Sequence, residues 1–185
     1  MNLTYSPCEL SHSPFVHLIP PTLARVDELY LALTTGDKNH FRYLPWAQDE
    51  TSREIVYSNM QEAIDNYVND KEEYRFLIID THTDSLVGCA GLFIRNTKIP
   101  FYEIGYWLAS ASIGKGFATE AVNQLKTFAF TTLHAKRLEI RMSGSHSKSK
   151  NVAIRCGFQL EAQLCCDRIN PDGSLDNTCI FSIVN

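Results

Sequence analysis

The sequence predicts an α+β fold: one mixed, mostly antiparallel twisted sheet of about seven strands, flanked by about four helices. Three observations carry this. Between Tyr74 and Leu108, three aromatic and β-branched runs (Tyr74–Ile79, Leu86–Arg95, Phe101–Leu108) are separated only by the turns Thr81–Ser85 and Asn96–Pro100. Connections this short require antiparallel neighbours. Next, Ala118, Ala121, Val122, Leu125, Phe128 and Ala129 recur at helical spacing, with Thr119, Glu120, Asn123, Gln124 and Lys126 on the other face. A helix crossing between Phe101–Leu108 and a strand at Arg137–Met142 makes those two strands parallel. Finally, 185 residues at 44% hydrophobic content suffice for a single domain with one core. The domain is taken as 1–185, with 1–15 an N-terminal arm.

The elements follow in order. Residues 1–15, with Pro7, Pro14 and several serines, read as the arm. Val16–Ile19 is a short strand stopped by Pro20 and Pro21. Thr22 caps a helix carrying Leu23, Val26, Leu29, Tyr30 and Leu33, which Gly36 ends. An aromatic loop, His40 to Gln48, leads to a second helix. Thr51 and Glu54 form its capping box, and Val56, Met60, Ala63, Ile64 and Tyr67 its apolar stripe, before Asn69 and Asp70 close it. Gly88, Gly91 and Gly105 interrupt the meander and point to bulges or close backbone approach. After Arg137–Met142 come a polar loop, Ser143–Lys148, and a short helix, Ser149–Cys156, capped by Gly157. A sixth strand, Phe158–Cys166, turns at Asn170–Gly173 into a last strand ending at Val184.

Composition narrows the function. A net charge of −4 leaves no basic footprint, which argues against nucleic acid as a partner. The mildly acidic balance suits a basic peptide or an amine. No apolar run reaches membrane-span length, and residues 1–15 lack the basic start and apolar core of a signal peptide. The expected location is cytoplasmic, with no membrane partner. The six cysteines (Cys8, Cys89, Cys156, Cys165, Cys166, Cys179) show no Cys-x-x-Cys spacing and read as buried or half-buried free thiols. Cys165 and Cys166, being adjacent in a strand, are expected on opposite faces. The six histidines are scattered, and no metal is expected.

The chemistry concentrates between Tyr106 and Ala121. An apolar strand end is followed by Gly114 and Gly116, one residue apart, and then by the central helix. Helix-terminal amides without internal partners, at the positive end of the dipole, favour a phosphate. Glycines let that phosphate approach the backbone. Lys115 either adds charge or is simply solvated. A P-loop is excluded because Gly116, not Ser or Thr, follows Lys115. A dinucleotide fingerprint fits poorly. Thr119 takes the place of its third glycine and Ala109–Ile113 intervene, although Glu139 lies where a ribose-binding acid would.

Three blocks resemble the GNAT acetyltransferases, in particular the ribosomal-protein N-terminal acetyltransferases. Glu103-Ile104-Gly105-Tyr106-Trp107-Leu108 with Gly114-Lys115-Gly116-Phe117-Ala118-Thr119-Glu120-Ala121 is similar to the strand and acetyl-CoA loop of that branch, although Ile113 stands where a Gln or Arg is expected. Ser149, Val152, Arg155, Gly157 and Phe158 match a second signature, with His146 replacing its asparagine. His40 to Trp46 resembles the acceptor-side loop. The resemblance covers roughly residues 15 to 185 and implies a GNAT fold and an N-acetyltransferase using acetyl-CoA, with no metal.

The resemblance also implies roles. Tyr106, Trp107 and Leu108 would pair with the pantetheine arm, along a strand that splays from its neighbour. Gly114, Lys115, Gly116, Phe117, Ala118 and Thr119 would hold the pyrophosphate, and His146 and Ser149 would touch the cofactor. Trp107 reads equally as core filler. Ser149 reads either as a catalytic group serving the leaving thiolate or as a helix N-cap. For the proton acceptor the candidates are Glu103, Asp167 and His40; the alternative for Glu103 is a solvated or ion-paired strand face. The expected acceptor is a peptide or protein N-terminal α-amine. Two readings stay open beside it: a small-molecule amine such as an antibiotic or polyamine, and a catalytically silent CoA-binding module. A homodimer is compatible with the sequence.

Overall fold

A computed structural model describes residues 13–37, 40–44, 51–170 and 172–185, except for the side chains of His40 and Phe41. Most of the expected N-terminal arm (1–12, with Pro7 and Cys8) and Trp46 and Gln48 of the aromatic loop, which figure in the sequence reading, lie outside the described residues. The elements run β1 (Val16–Ile19), α1 (Val26–Thr34), α2 (Arg53–Val68), β2 (Glu73–Asp80), β3 (Leu86–Asn96), β4 (Phe101–Leu108), α3 (Phe117–Thr131), β5 (Arg137–Ser143), α4 (Ser147–Arg155), β6 (Gln159–Ile169) and β7 (Leu175–Val184). The strands form one sheet in the order β1-β2-β3-β4-β5-β7-β6. Each neighbouring pair is antiparallel except β4–β5, which is parallel because α3 crosses between them.

Strand alternation sends side chains to two cores. On one face Phe76, Ile78, Leu92, Ile104, Leu138 and Ile140 pack against Val122, Leu125 and Phe128 of α3 and Val152 of α4. On the other, Leu77, Ile79 and Cys89 pack against Val26 and Leu29 of α1 and Val56 and Met60 of α2. Trp107 is half-buried against this second core. Helices α1 and α2 therefore cover β2 and β3 on one face, while α3 and α4 cover the other face from β1 across to β5. On the α1/α2 face, the β5–β7–β6 end has no helix over it among the described elements.

Several local expectations shift. Ser52, not Thr51, caps α2: it is extended (φ −106°, ψ 162°), and its Oγ accepts from the Ile55 amide at 3.3 Å. Gln124, placed on the polar face of the central helix by periodicity, is 3% exposed. It is drawn inward by a hydrogen bond from its Nε2 to the Val16 carbonyl (2.9 Å). Helix α4 begins two residues early, at Ser147, so Ser149 sits inside its first turn and does not cap it. Strand β6 runs on to Ile169 through a register shift between Leu164 and Arg168, with Cys166 at φ +50°. That irregularity on an edge strand breaks the alternation, and Cys165 and Cys166 are both exposed, while Cys89, Cys156 and Cys179 are buried free thiols.

Candidate active site

The site originates where β4 and β5 part. Their parallel pairing consists of Phe101↔Arg137, Tyr102↔Leu138 and Glu103↔Glu139, and then stops. Beyond it β4 stays paired with β3 as far as Leu108, and β5 with β7 as far as Ser143. The facing edges, Ile104–Leu108 and Ile140–Ser143, share no ladder. A cleft of about 530 Å³ opens there, lined by Tyr106, Trp107, Ile140, Met142, His146 and Ser149 among others, and extends onto the α1/α2 face past Phe93, Glu103 and Arg75. Gly105 stands in its wall because a Cβ there would lie 2.7 Å from the Phe93 ring.

Past the end of β4, the chain makes a short 3₁₀ turn, Ser110–Ser112, and reaches Gly114 and Gly116 at φ +81° and +83°. This left-handed conformation is one that side-chain-bearing residues rarely adopt. Gly116 is the N-cap of α3 and supplies no side-chain cap, and no atom lies within 4 Å of where a Cβ on either glycine would stand. The first-turn amides of α3 thus open onto free space, as an anionic group requires. Thr119 Oγ1 accepts from Arg155 Nε and Nη2 (3.2 and 3.1 Å), which brings a guanidinium to that turn. Lys115 Nζ lies 5.9 Å from the Phe117 ring centroid, and Phe117 is itself buried. Ala118 packs half-buried against the core, and Leu108 is buried in it.

Tyr106 and Ser149 meet across the cleft, with Tyr106 Oη 2.8 Å from Ser149 Oγ and also donating to the Ser149 carbonyl at 3.3 Å. Burial pushes the Tyr106 phenol up to about 12, so it keeps its proton at neutral pH. Ser149 is 8% exposed. His146 stacks on Tyr43 with ring centroids 3.9 Å apart, which ties the turn at Arg42–Tyr43 to the start of α4. Below them Asp176 accepts from the hydroxyls of Ser143 and Ser145 (2.9 Å to Ser145). These bonds, led by that of Ser143, hold its carboxyl down to about 2. Tyr43 falls within the His40–Trp46 block without being singled out there, and Asp176 carries no motif of its own.

Of the three proton-acceptor candidates, two have described side chains, and these separate in space. Glu103 lines the cleft, and its Oε2 accepts from Arg95 Nε and Nη2 (3.0 and 2.8 Å). Asp167 is exposed on the irregular part of β6 and does not line the cleft. The side chain of His40 lies outside the described residues. Cys89, which lines the cleft, has its thiol pushed up to about 12 by burial.

A seven-stranded sheet parted between β4 and β5, followed in the chain by a glycine-opened helix, is the arrangement that the sequence reading expects of an acetyltransferase fold. The chain belongs to the GNAT acetyltransferases, whose domain model matches residues 16–159. It is an N-acetyltransferase with acetyl-CoA as co-substrate. It is 31% identical over 126 residues to the uncharacterized N-acetyltransferase p20 of Bacillus licheniformis, an alignment covering 68% of this chain and 70% of that one. In structure it resembles the microcin C7 self-immunity acetyltransferase MccE in complex with acetyl-CoA and AMP (TM-score 0.85, 24% identity, 96% of this chain and 99% of that). It also resembles the ribosomal L7/L12 alpha-N-protein acetyltransferase RimL in complex with coenzyme A (TM-score 0.86, 20% identity, 95% and 97%).

Proposed function

We propose that this enzyme transfers acetyl directly to the α-amine of a peptide or protein N-terminus. The observation that carries the reading is the state of the carboxylates in the cleft. Glu73 is ion-paired with Arg75 and Glu103 with Arg95, so among the described residues no unpaired carboxylate lines it. A site with so little base strength suits an amine that sheds its proton readily. An α-amine with pKa ~7.8 is roughly a tenth neutral at pH 7, whereas a lysine-like amine near ~10.4 is neutral about once in a few thousand molecules. The RimL likeness points the same way.

Acetyl-CoA supplies a thioester carbonyl. The chain's own groups supply the rest. In this reading the first turn of α3, with Gly114, Lys115, Gly116, Phe117, Ala118 and Thr119, receives the pyrophosphate. The free edge of β4 from Tyr106 to Leu108 lies along the extended arm. The Tyr106–Ser149 pair, still protonated at neutral pH, faces the departing sulfur and furnishes its proton. His146, held flat by Tyr43, closes that side. Glu103 accepts the proton of the incoming amine, and Asp167 takes no part. The buried Cys89 thiol is poorly suited to nucleophilic attack at neutral pH, which favours transfer without a covalent enzyme intermediate. The test compares short peptides with free and blocked N-termini, each carrying one lysine, alongside spermidine and an aminoglycoside. The free N-terminus should give the highest kcat/KM. A higher value on blocked peptides or polyamines overturns the acceptor assignment.

A further inference from the structure

On the α1/α2 face, the acceptor arm of the cleft has a charge distribution that its composition does not suggest. Five charged side chains other than histidine line the cleft: Glu73, Arg75, Glu103, Arg141 and Arg168. Both carboxylates are already matched, Glu73 by Arg75 and Glu103 by Arg95. Arg141 and Arg168 have no ion pair with any described residue. By strand alternation Arg141 lies on the face opposite the core residues Ile140 and Met142, on the side away from α3 and α4. Arg168 is half-buried and stands opposite Asp176 in the β6–β7 register. Asp176 does not line the cleft, and its Oδ2 is taken by the hydroxyls of Ser143 and Ser145. A protein of net charge −4 thus turns two unmatched guanidiniums into its acceptor cleft.

We propose that the acceptor is acidic: an N-terminal segment whose residues just after the reacting amine carry carboxylates, selected by Arg141 and Arg168. This rests on the α-amine reading above and deepens it. The two arginines flank β7, Arg141 opposite Ile180 and Arg168 opposite Asp176. Strand rise and spacing put their Cα atoms roughly 17 Å apart, about five residues of extended chain. A peptide running outward from the β4–β5 gap can meet both, whereas a small polyamine meets only like charge. Guanidiniums suit this task because their planar donor fork matches a carboxylate in two-point contact. Lining positions that repel a cationic acceptor select against it as strongly as attraction selects for an acidic one.

The experiment uses the full chain with acetyl-CoA and heptapeptides that begin with serine or alanine and continue with a run of aspartates, glutamines or lysines. Spermine and N-blocked lysine peptides run beside them. Peptide binding to the CoA-saturated protein is read by calorimetry, so a peptide that binds without turnover still counts. The aspartate peptides should exceed the glutamine peptides by about five- to tenfold in kcat/KM, the size two partly exposed charge pairs give, and the margin should shrink as salt rises. In the Arg141→Gln/Arg168→Gln variant the ratio should fall toward one with the KM for acetyl-CoA unchanged. Arg168→Glu should raise the lysine peptides relative to the aspartate ones, a gain that misfolding cannot imitate. Equal or better use of lysine peptides by the wild type, a ratio indifferent to the arginine variants, or no binding of aspartate peptides at millimolar concentration each overturns the proposal. If N-blocked lysine peptides or spermine are the better substrates, the α-amine reading fails first. If free peptides are acetylated without regard to charge, only the acidic selectivity fails.

Discussion

Replacing Gly116 by alanine tests the phosphate cradle, provided backbone strain is separated from ligand loss. Gly116 sits at φ +83° with open space around it, so a new methyl group meets no atom and the cost is conformational, about 1–2 kcal/mol. For a chain of this size that lowers Tm by roughly 2–8 °C. Gly173, in the β6–β7 turn, has nearly the same backbone (φ +82°) and equally open surroundings, so Gly173→Ala carries the same strain away from α3. The two variants should melt alike. They should bind differently, because rearranging the N-cap of α3 misaligns amides that donate to a charged group, each worth about 1.5–3 kcal/mol. Losing one such bond weakens acetyl-CoA binding by about ten- to a hundredfold, while Gly173→Ala stays near wild type. Lys115→Ala, which removes only a side chain stacked near Phe117, should cost less than Gly116→Ala. Calorimetric titration with acetyl-CoA, paired with thermal melts, reads both quantities. Wild-type affinity in Gly116→Ala, or an equal loss in Gly173→Ala, would refute the cradle.

Ser149→Ala and Tyr106→Phe each break the 2.8 Å hydroxyl contact and should lower kcat more than they raise the KM for acetyl-CoA; steady-state kinetics that show only a KM effect would leave the pair a binding contact. Asp176 titrates well below its ordinary 3.8, near about 2, so its contribution to stability is complete above the unfolded value and is lost as pH falls toward 2. Thermal melts from pH 5 down to about pH 2 should therefore show an acid limb that is shallower in Asp176→Asn, with the variant below wild type at pH 5 and the two converging toward pH 2.

How much of this is legible in the sequence depends on whether the signal is local. The meander and the parallel crossover are legible because short turns and one long helix leave few topologies. The glycine loop is legible because positive φ at Gly114 and Gly116 is written in residue type. Gln124 is not, since its burial depends on a carbonyl contributed by Val16, far away in the chain. The cap of α2 slips by one residue because Thr51 and Ser52 are chemically equivalent, and only the backbone angle at Ser52 decides between them. The paired exposure of Cys165 and Cys166 follows from an irregularity that no period-2 pattern predicts. In the site, Ser149 is marked by its motif, but the Tyr106 hydroxyl that meets it, the Tyr43 ring on His146 and the Arg95 partner of Glu103 come from separate elements.

The early parting of β4 from β5 gives this sheet four borders where an ordinary open sheet has two. Unpaired strand borders invite neighbouring chains to add on, and proteins commonly blunt them with charge, proline or a covering element. Here the two extra borders face each other across a narrow interior gap, so concealment does the same work. A slender extended molecule can enter and be gripped along its length, but the flat rim of another sheet cannot. The same opening that admits a ligand thereby guards the molecule against its own kind.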